Sequence, residues 1–249
     1  MVGVRLLKYS LCALQLMGAV HVSASDYTYT IYIGMGPIKV PAGSAQLYDT
    51  PVVYDGHDAI RTTMVMSTYP STDKIFTLRD TIESYNTRQN ESIFFKKTIN
   101  EGSRHSIETA RFSKDNNRFI VNLETWDMTT GKQSGHSTEW RPTRIYDLMS
   151  MMAFAQTIDT SDLEPGSTES IPMVNGNRVV QMYLVYTGKK KIKADNGQTY
   201  NCIVVSIRDY KEGKELEIIK AYVTDDSRHT PIQLDIKLGV GTSIKALLK

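Results

Sequence analysis

The stretch IIKAYVTDDSRHTPIQLDIKLGVGTSIKALL, residues 218–248, decides the fold class. A strand through Tyr222 and Val223 enters a polar turn, Asp225-Asp226-Ser227-Arg228-His229. The return strand sets Ile232, Leu234, Ile236 and Leu238 against Gln233, Asp235 and Lys237. After Gly239 and Gly241 the alternation resumes at Ile244, Ala246 and Leu248. A period of two buries one face and wets the other, the pattern of an antiparallel sheet.

Working outward, the same texture fills most of the chain. Tyr27, Tyr29, Ile31 and Ile33 alternate with Thr28, Thr30 and Tyr32, and Gly34, Gly36, Pro37, Pro41 and Gly43 then mark a bent or bulged strand. Strands are predicted over residues 57–69, 74–85, 92–99, 104–112, 118–126 and 132–140, and again over 178–187, 200–207, 219–224 and 231–238. Asp55-Gly56, Asn100-Glu101-Gly102, Thr129-Thr130-Gly131 and Asn196-Gly197 supply turns between them. Short strands at regular spacing predict an antiparallel meander of about eleven strands in one domain, residues 25–249.

One segment breaks the pattern. Residues 147–157, DLMSMMAFAQT, hold no Gly, no Pro and no β-branched residue before the last position. Leu148, Met149, Met152 and Ala155 recur at helical spacing, and Met151 and Phe154 widen the apolar stripe. Asp147 is the predicted N-cap. A helix apolar on most sides must be buried on most sides, so the fold is a mainly β curved sheet enclosing one short helix. Met149, Met151, Met152 and Phe154 are the candidate ligand-binding residues. Methionine is flexible and polarizable and suits varied apolar partners. A packed core explains the same residues, and the sequence leaves both readings open.

The first 24 residues are set aside. Arg5 and Lys8 precede an apolar core, Leu11 to Val20, and Val22-Ser23-Ala24 offers the small residues of a cleavage site. This is the pattern of a secretory signal peptide, too short to span a bilayer. Tyr9-Ser10-Leu11 before Cys12 lacks the small residues of a lipidation site, so export without lipidation is expected. Cleavage removes two basic residues and lowers the basic count from 29 to 27, equal to the 27 acidic residues. That neutrality argues against nucleic acid as a partner. No other run is apolar enough to cross a membrane. The mature chain keeps only Cys202, so its core and no disulfide holds it together.

Catalytic signals are thin. Asp225 and Asp226 are adjacent, but neighbours on an extended chain point opposite ways, and turn chemistry accounts for one aspartate bonding backbone and the other meeting solvent. His57, His105, His136 and His229 form no HxH or HExxH pattern. A metal site from His105 and His136 would require neighbouring strands. There is no GxSxG motif and no cofactor fingerprint. Asn90-Glu91-Ser92 matches a glycosylation sequon, Trp126 and Trp140 suit either packing or a sugar face, and Lys189-Lys190-Lys191 with Lys193 reads as a solvated hairpin.

With these elements in place, the chain resembles a bacterial exported family of unknown function, the one catalogued as number 3108. The resemblance rests on Gly34-Met35-Gly36-Pro37-Ile38, Tyr146-Asp147-Leu148-Met149-Ser150, Leu163-Glu164-Pro165-Gly166 and Tyr186-Thr187-Gly188-Lys189. Its most specific part is Val223-Thr224-Asp225-Asp226 with Pro231-Ile232 and the ending Gly241 to Leu248. Tyr222 stands where the family commonly has tryptophan, and Gln156 or Thr157 where an arginine is frequent. The resemblance implies a periplasmic or secreted half-barrel similar in outline to lipoprotein carriers, and carries over no functional residues. Three readings follow: a non-enzymatic envelope protein holding an apolar or lipid-like ligand between sheet and helix; a hydrolase or carbohydrate-processing enzyme with Asp225, Asp226 and His229 at its site; or an assembly component of the envelope pairing through a sheet edge.

Overall fold

The computed structural model describes residues 26–35, 38–160, 162–211, 214–239 and 242–249. The expected signal segment, Cys12 included, lies outside the described residues. The strands are β1 (Tyr27–Met35), β2 (Ile38–Tyr54), β3 (His57–Thr68), β4 (Arg79–Thr87), β5 (Ser92–Glu101), β6 (Arg104–Asp115), β7 (Arg118–Asp127) and β8 (Lys132–Arg141). After a break come β9 (Thr168–Asn175), β10 (Arg178–Lys193), β11 (Thr199–Lys211), β12 (Lys214–Thr224), β13 (Pro231–Gly239) and β14 (Thr242–Leu248). The helices are α1 (Pro70–Asp73) and α2 (Leu148–Gln156).

All fourteen strands join one antiparallel sheet in the order β8-β7-β6-β5-β4-β3-β2-β1-β14-β13-β12-β11-β10-β9. Two meanders are thus fused where the first strand meets the last, from Tyr29 opposite Leu248 to Met35 opposite Thr242. The C-terminal hairpin therefore lies at the middle of the sheet, with neighbours on both sides. Right-handed twist accumulates with each strand, and a sheet this wide curls rather than staying open. Here it curls into a nearly closed barrel, further round than a half-barrel.

The seam lies between β8 and β9, which share no backbone ladder. The turn between β9 and β10 tucks under the inner face of β8 instead. The Val179 N–H donates to Glu139 Oε1 at 2.7 Å, Arg141 Nη2 donates to the Val179 carbonyl at 2.9 Å, and Ser137 Oγ donates to the Asn177 carbonyl. A side chain at Gly135 would place its Cβ 2.9 Å from Asn177 Nδ2, so glycine permits this overlap. The free edge of β9 is covered by Tyr146, whose N–H donates to Pro172 and whose carbonyl accepts from Val174.

The predicted count of eleven strands and one helix is too low. The bend or bulge expected at Pro41 and Gly43 is present within β2, where the register against β1 shifts between Ile31 and Tyr32. Gly43 is required, because a Cβ there would sit 2.3 Å from the Ser67 carbonyl oxygen of β3. β9 carries Pro172 and tolerates it because that strand stands at the sheet's end. The strand expected over 74–85 starts only at Arg79, since Pro70 opens α1 and the Asp73 carboxylate then ties Arg79 to Thr68.

Candidate functional site

The site is built on α2, and α2 is anchored through Asp147. Asp147 Oδ1 accepts from the N–H groups of Met149 (2.9 Å) and Ser150 (3.0 Å), while Ser150 Oγ accepts from the Asp147 N–H at 2.9 Å. This reciprocal cap satisfies the helix's first donors. Its other oxygen, Oδ2, accepts from Ser84 of β4 at 2.9 Å and Ser92 of β5 at 3.2 Å, and Asn86 donates to Ser84 at 2.8 Å. Alternation on β4 turns Ser84 and Asn86 inward beside Ile82, so the strand presents a polar socket for the carboxylate. Asp147 is fully buried. Burial pushes its pKa up, against the pull of its hydrogen bonds from Ser150, Ser84 and Met149.

The C-terminal end of α2 is held by the turn that follows β12. His229 Nδ1 donates to the Gln156 carbonyl at 2.6 Å, and Gln156 Nε2 donates to the His229 carbonyl at 3.3 Å. His229 adopts a left-handed φ of 44° to make this approach. α2 is therefore fixed at both ends inside the barrel.

Beneath it lies a cavity of about 250 Å³. From α2 come Leu148, Met151, Met152, Ala155 and Gln156. The wall is an arc of ten consecutive strands, from Lys97 of β5 and Ile82 of β4 round to Leu184 of β10. Met64 and Met66 of β3 line it, and the C-terminal hairpin supplies Leu234, Ile236, Ile244 and Ala246. Among the described residues Lys97 is the one charged side chain in this lining. A smaller apolar recess near Ile158, Leu163 and His229 shares Ala155, Leu184, Val205 and Val223 with it.

The helix divides the four candidate residues. Met151 and Met152 line the cavity. Met149 does not: it packs with Val121, Leu123 and Ile145 in the core against β4–β7. Phe154 does not either, and lies 5.1 Å from the Tyr146 ring, centroid to centroid. Sequence reading missed Met64, Met66 and Lys97. The period-two placing of the two methionines was a signal, whereas nothing local distinguishes Lys97 from any strand lysine.

Asp225, Asp226 and His229 do not converge. Asp226 Oδ1 accepts from Thr224 and from the Arg228 N–H, the turn chemistry expected of one aspartate. Asp225, expected in solvent, pairs with Lys189 Nζ at 2.7 Å. His105 and His136 sit on β6 and β8 with β7 between them, and among the described residues no group of three or more His, Cys, Asp or Glu is arranged to hold a metal. Asn90 of the sequon turns its side chain inward to donate to the Ser150 carbonyl of α2. Trp126 and Trp140 are exposed, and Cys202 is buried, its thiol pKa pushed up to about 11 by desolvation. Among the described residues no helix is long and apolar enough to cross a membrane.

Fold and site together define an antiparallel barrel wrapped around a capped internal helix, with an apolar cavity between the two. The chain belongs to the DUF3108 family, a protein family of unknown function whose model matches residues 28–249. No curated protein matches it. It is similar to the crystal structure of a beta-barrel-like protein of domain of unknown function DUF1849 from Brucella abortus, with a TM-score of 0.56 at 9% identity. That likeness covers 91% of this chain and 97% of the other, and it is a likeness of fold.

Proposed function

We propose that this is an exported, non-enzymatic envelope protein that holds an apolar, lipid-like ligand between the curved sheet and α2. The observation that carries the reading is the cavity: about 250 Å³, walled almost entirely by aliphatic and methionine side chains. Water gains little there, because a buried water needs two to four polar partners. Left to solvent, the chamber keeps apolar side chains against water, which is unfavourable in proportion to the apolar area exposed. An apolar occupant removes that contact, and Met151, Met152, Met64 and Met66 can adjust to chains of different shape.

Native mass spectrometry of protein purified from its own host tests the ligand. The expected result is a discrete mass above that of the polypeptide, released by organic extraction. A clean polypeptide mass, with no uptake of an environment-sensitive apolar dye, overturns the reading. Export rests on the N-terminal pattern of Arg5, Lys8 and the apolar core before Ala24. N-terminal sequencing of the product should begin at Ser25, and a product retaining Met1 would contradict export by cleavage.

A further inference from the structure

Lys97 stands at the margin of the cavity's arc, since β5 is the last lining strand on that side. Its strand neighbours Phe95 and Ile99 are buried on the same inward face, and it lies opposite Ile82 of β4 and Glu108 of β6. The carboxylates near it are already engaged. Glu108 pairs with Arg104 at 3.4 Å, and Asp80, itself buried, accepts from the Asn100 N–H at 2.9 Å. Asp80 feels Lys97 through space, yet burial dominates and raises that carboxyl's pKa. Among the described residues Lys97 forms no ion pair within 4.0 Å. A half-buried ammonium whose neighbouring carboxylates are engaged by other groups, set at the end of an apolar chamber, is matched by an anion carrying an apolar tail.

We propose that Lys97 receives the anionic head of a single-chain, fatty-acid-like amphiphile whose tail lies in the cavity beneath α2. The assignment rests on the apolar-ligand reading and adds the head chemistry and its place. One chain suits the volume, which lies just below the roughly 300–1,000 Å³ of small-molecule sites. The tail then runs from β5 toward Leu234 and Ile244 of the C-terminal hairpin, where the lining holds no charge.

The test titrates delipidated protein with palmitate and with hexadecanol, which share a chain and differ in the head, each displacing a bound apolar dye. The wild type should bind palmitate about tenfold tighter, a difference of about 1.4 kcal/mol. Lys97→Met should bind hexadecanol as the wild type does and lose the preference, whereas Lys97→Arg should keep it. Circular dichroism checks that each variant is folded. Equal binding of both ligands by the wild type, or a preference that survives in Lys97→Met, overturns the head assignment and leaves the cavity reading standing. Dye displaced by neither ligand overturns the head assignment, and the cavity reading falls with it if the dye itself never binds.

Discussion

Asp147 is the residue on which the site's geometry turns, because one carboxylate serves the helix and the sheet together. Replacing it by alanine strands two backbone donors of α2 and removes the acceptor for Ser84 and Ser92. A lost cap costs about 1 kcal/mol and each unsatisfied buried donor adds to it, so Asp147→Ala should lose about 2–3 kcal/mol in urea unfolding. A loss below about 0.5 kcal/mol, the scatter of ordinary surface changes, would show that the anchor is dispensable. Glu217 governs the acid limb on the opposite, outer face. Burial pushes its pKa up, but hydrogen bonds from Lys237, Ser206 and Lys220 pull it further down, to about 2. A depressed carboxylate stabilises the fold above its unfolded pKa of about 4.3, and the contribution drains away as pH falls toward 2. Glu217→Gln should therefore flatten the stability–pH curve between about pH 4.5 and 2, removing about 1 kcal/mol after allowance for solvent screening. Identical acid limbs in wild type and variant would dismiss this network.

At the scale of elements, α2 and the C-terminal hairpin meet across the cavity, and each was legible for a different reason. α2 announced itself by the Asp147 cap and a run free of β-branched residues, cues that act within one turn. The hairpin announced itself by period two. Which residues share the chamber was not legible, because that depends on closure: Met149 and Met151 are two positions apart yet serve different cores. β9 went unread, and its Pro172 is accommodated by a terminal place in the sheet, whereas the bend expected at Pro41 and Gly43 is the bulge within β2. The chamber itself gives a prediction. Ala221 of β12 lines the void, so Ala221→Phe should fill part of it. Gained contact offsets the usual overpacking cost of about 1–3 kcal/mol, leaving stability within about 1 kcal/mol of wild type. Apolar dye binding should fall by about tenfold or more. Undiminished dye binding in a folded variant would place the ligand elsewhere.

For the whole molecule, the decisive contact is between the two ends of the chain, and no local pattern reveals it. Tyr29 and Leu248 lie at opposite ends of the sequence, yet their strands stand side by side at the sheet's centre. The alternation at Ile244, Ala246 and Leu248 says only that some sheet exists there. The weakest place is equally hidden: β8 was readable as a strand and β9 was not, and nothing local marks them as the two margins of a seam. That seam holds by side chains reaching backbone, with Glu139 accepting from both Val179 N–H and Arg141. Local opening draws on such low-stability regions first, so hydrogen exchange should be fastest at β8 and β9 and slowest along the β1–β14 ladder. Glu139→Ala removes a charge-assisted acceptor worth about 1.5–3 kcal/mol locally. The Val179 amide should then exchange at least about tenfold faster, while amides opposite Leu247 and Ala246 are unchanged. If the β1–β14 amides exchanged first, the barrel would open at the junction of its chain ends, and the side-chain seam would be the stronger closure.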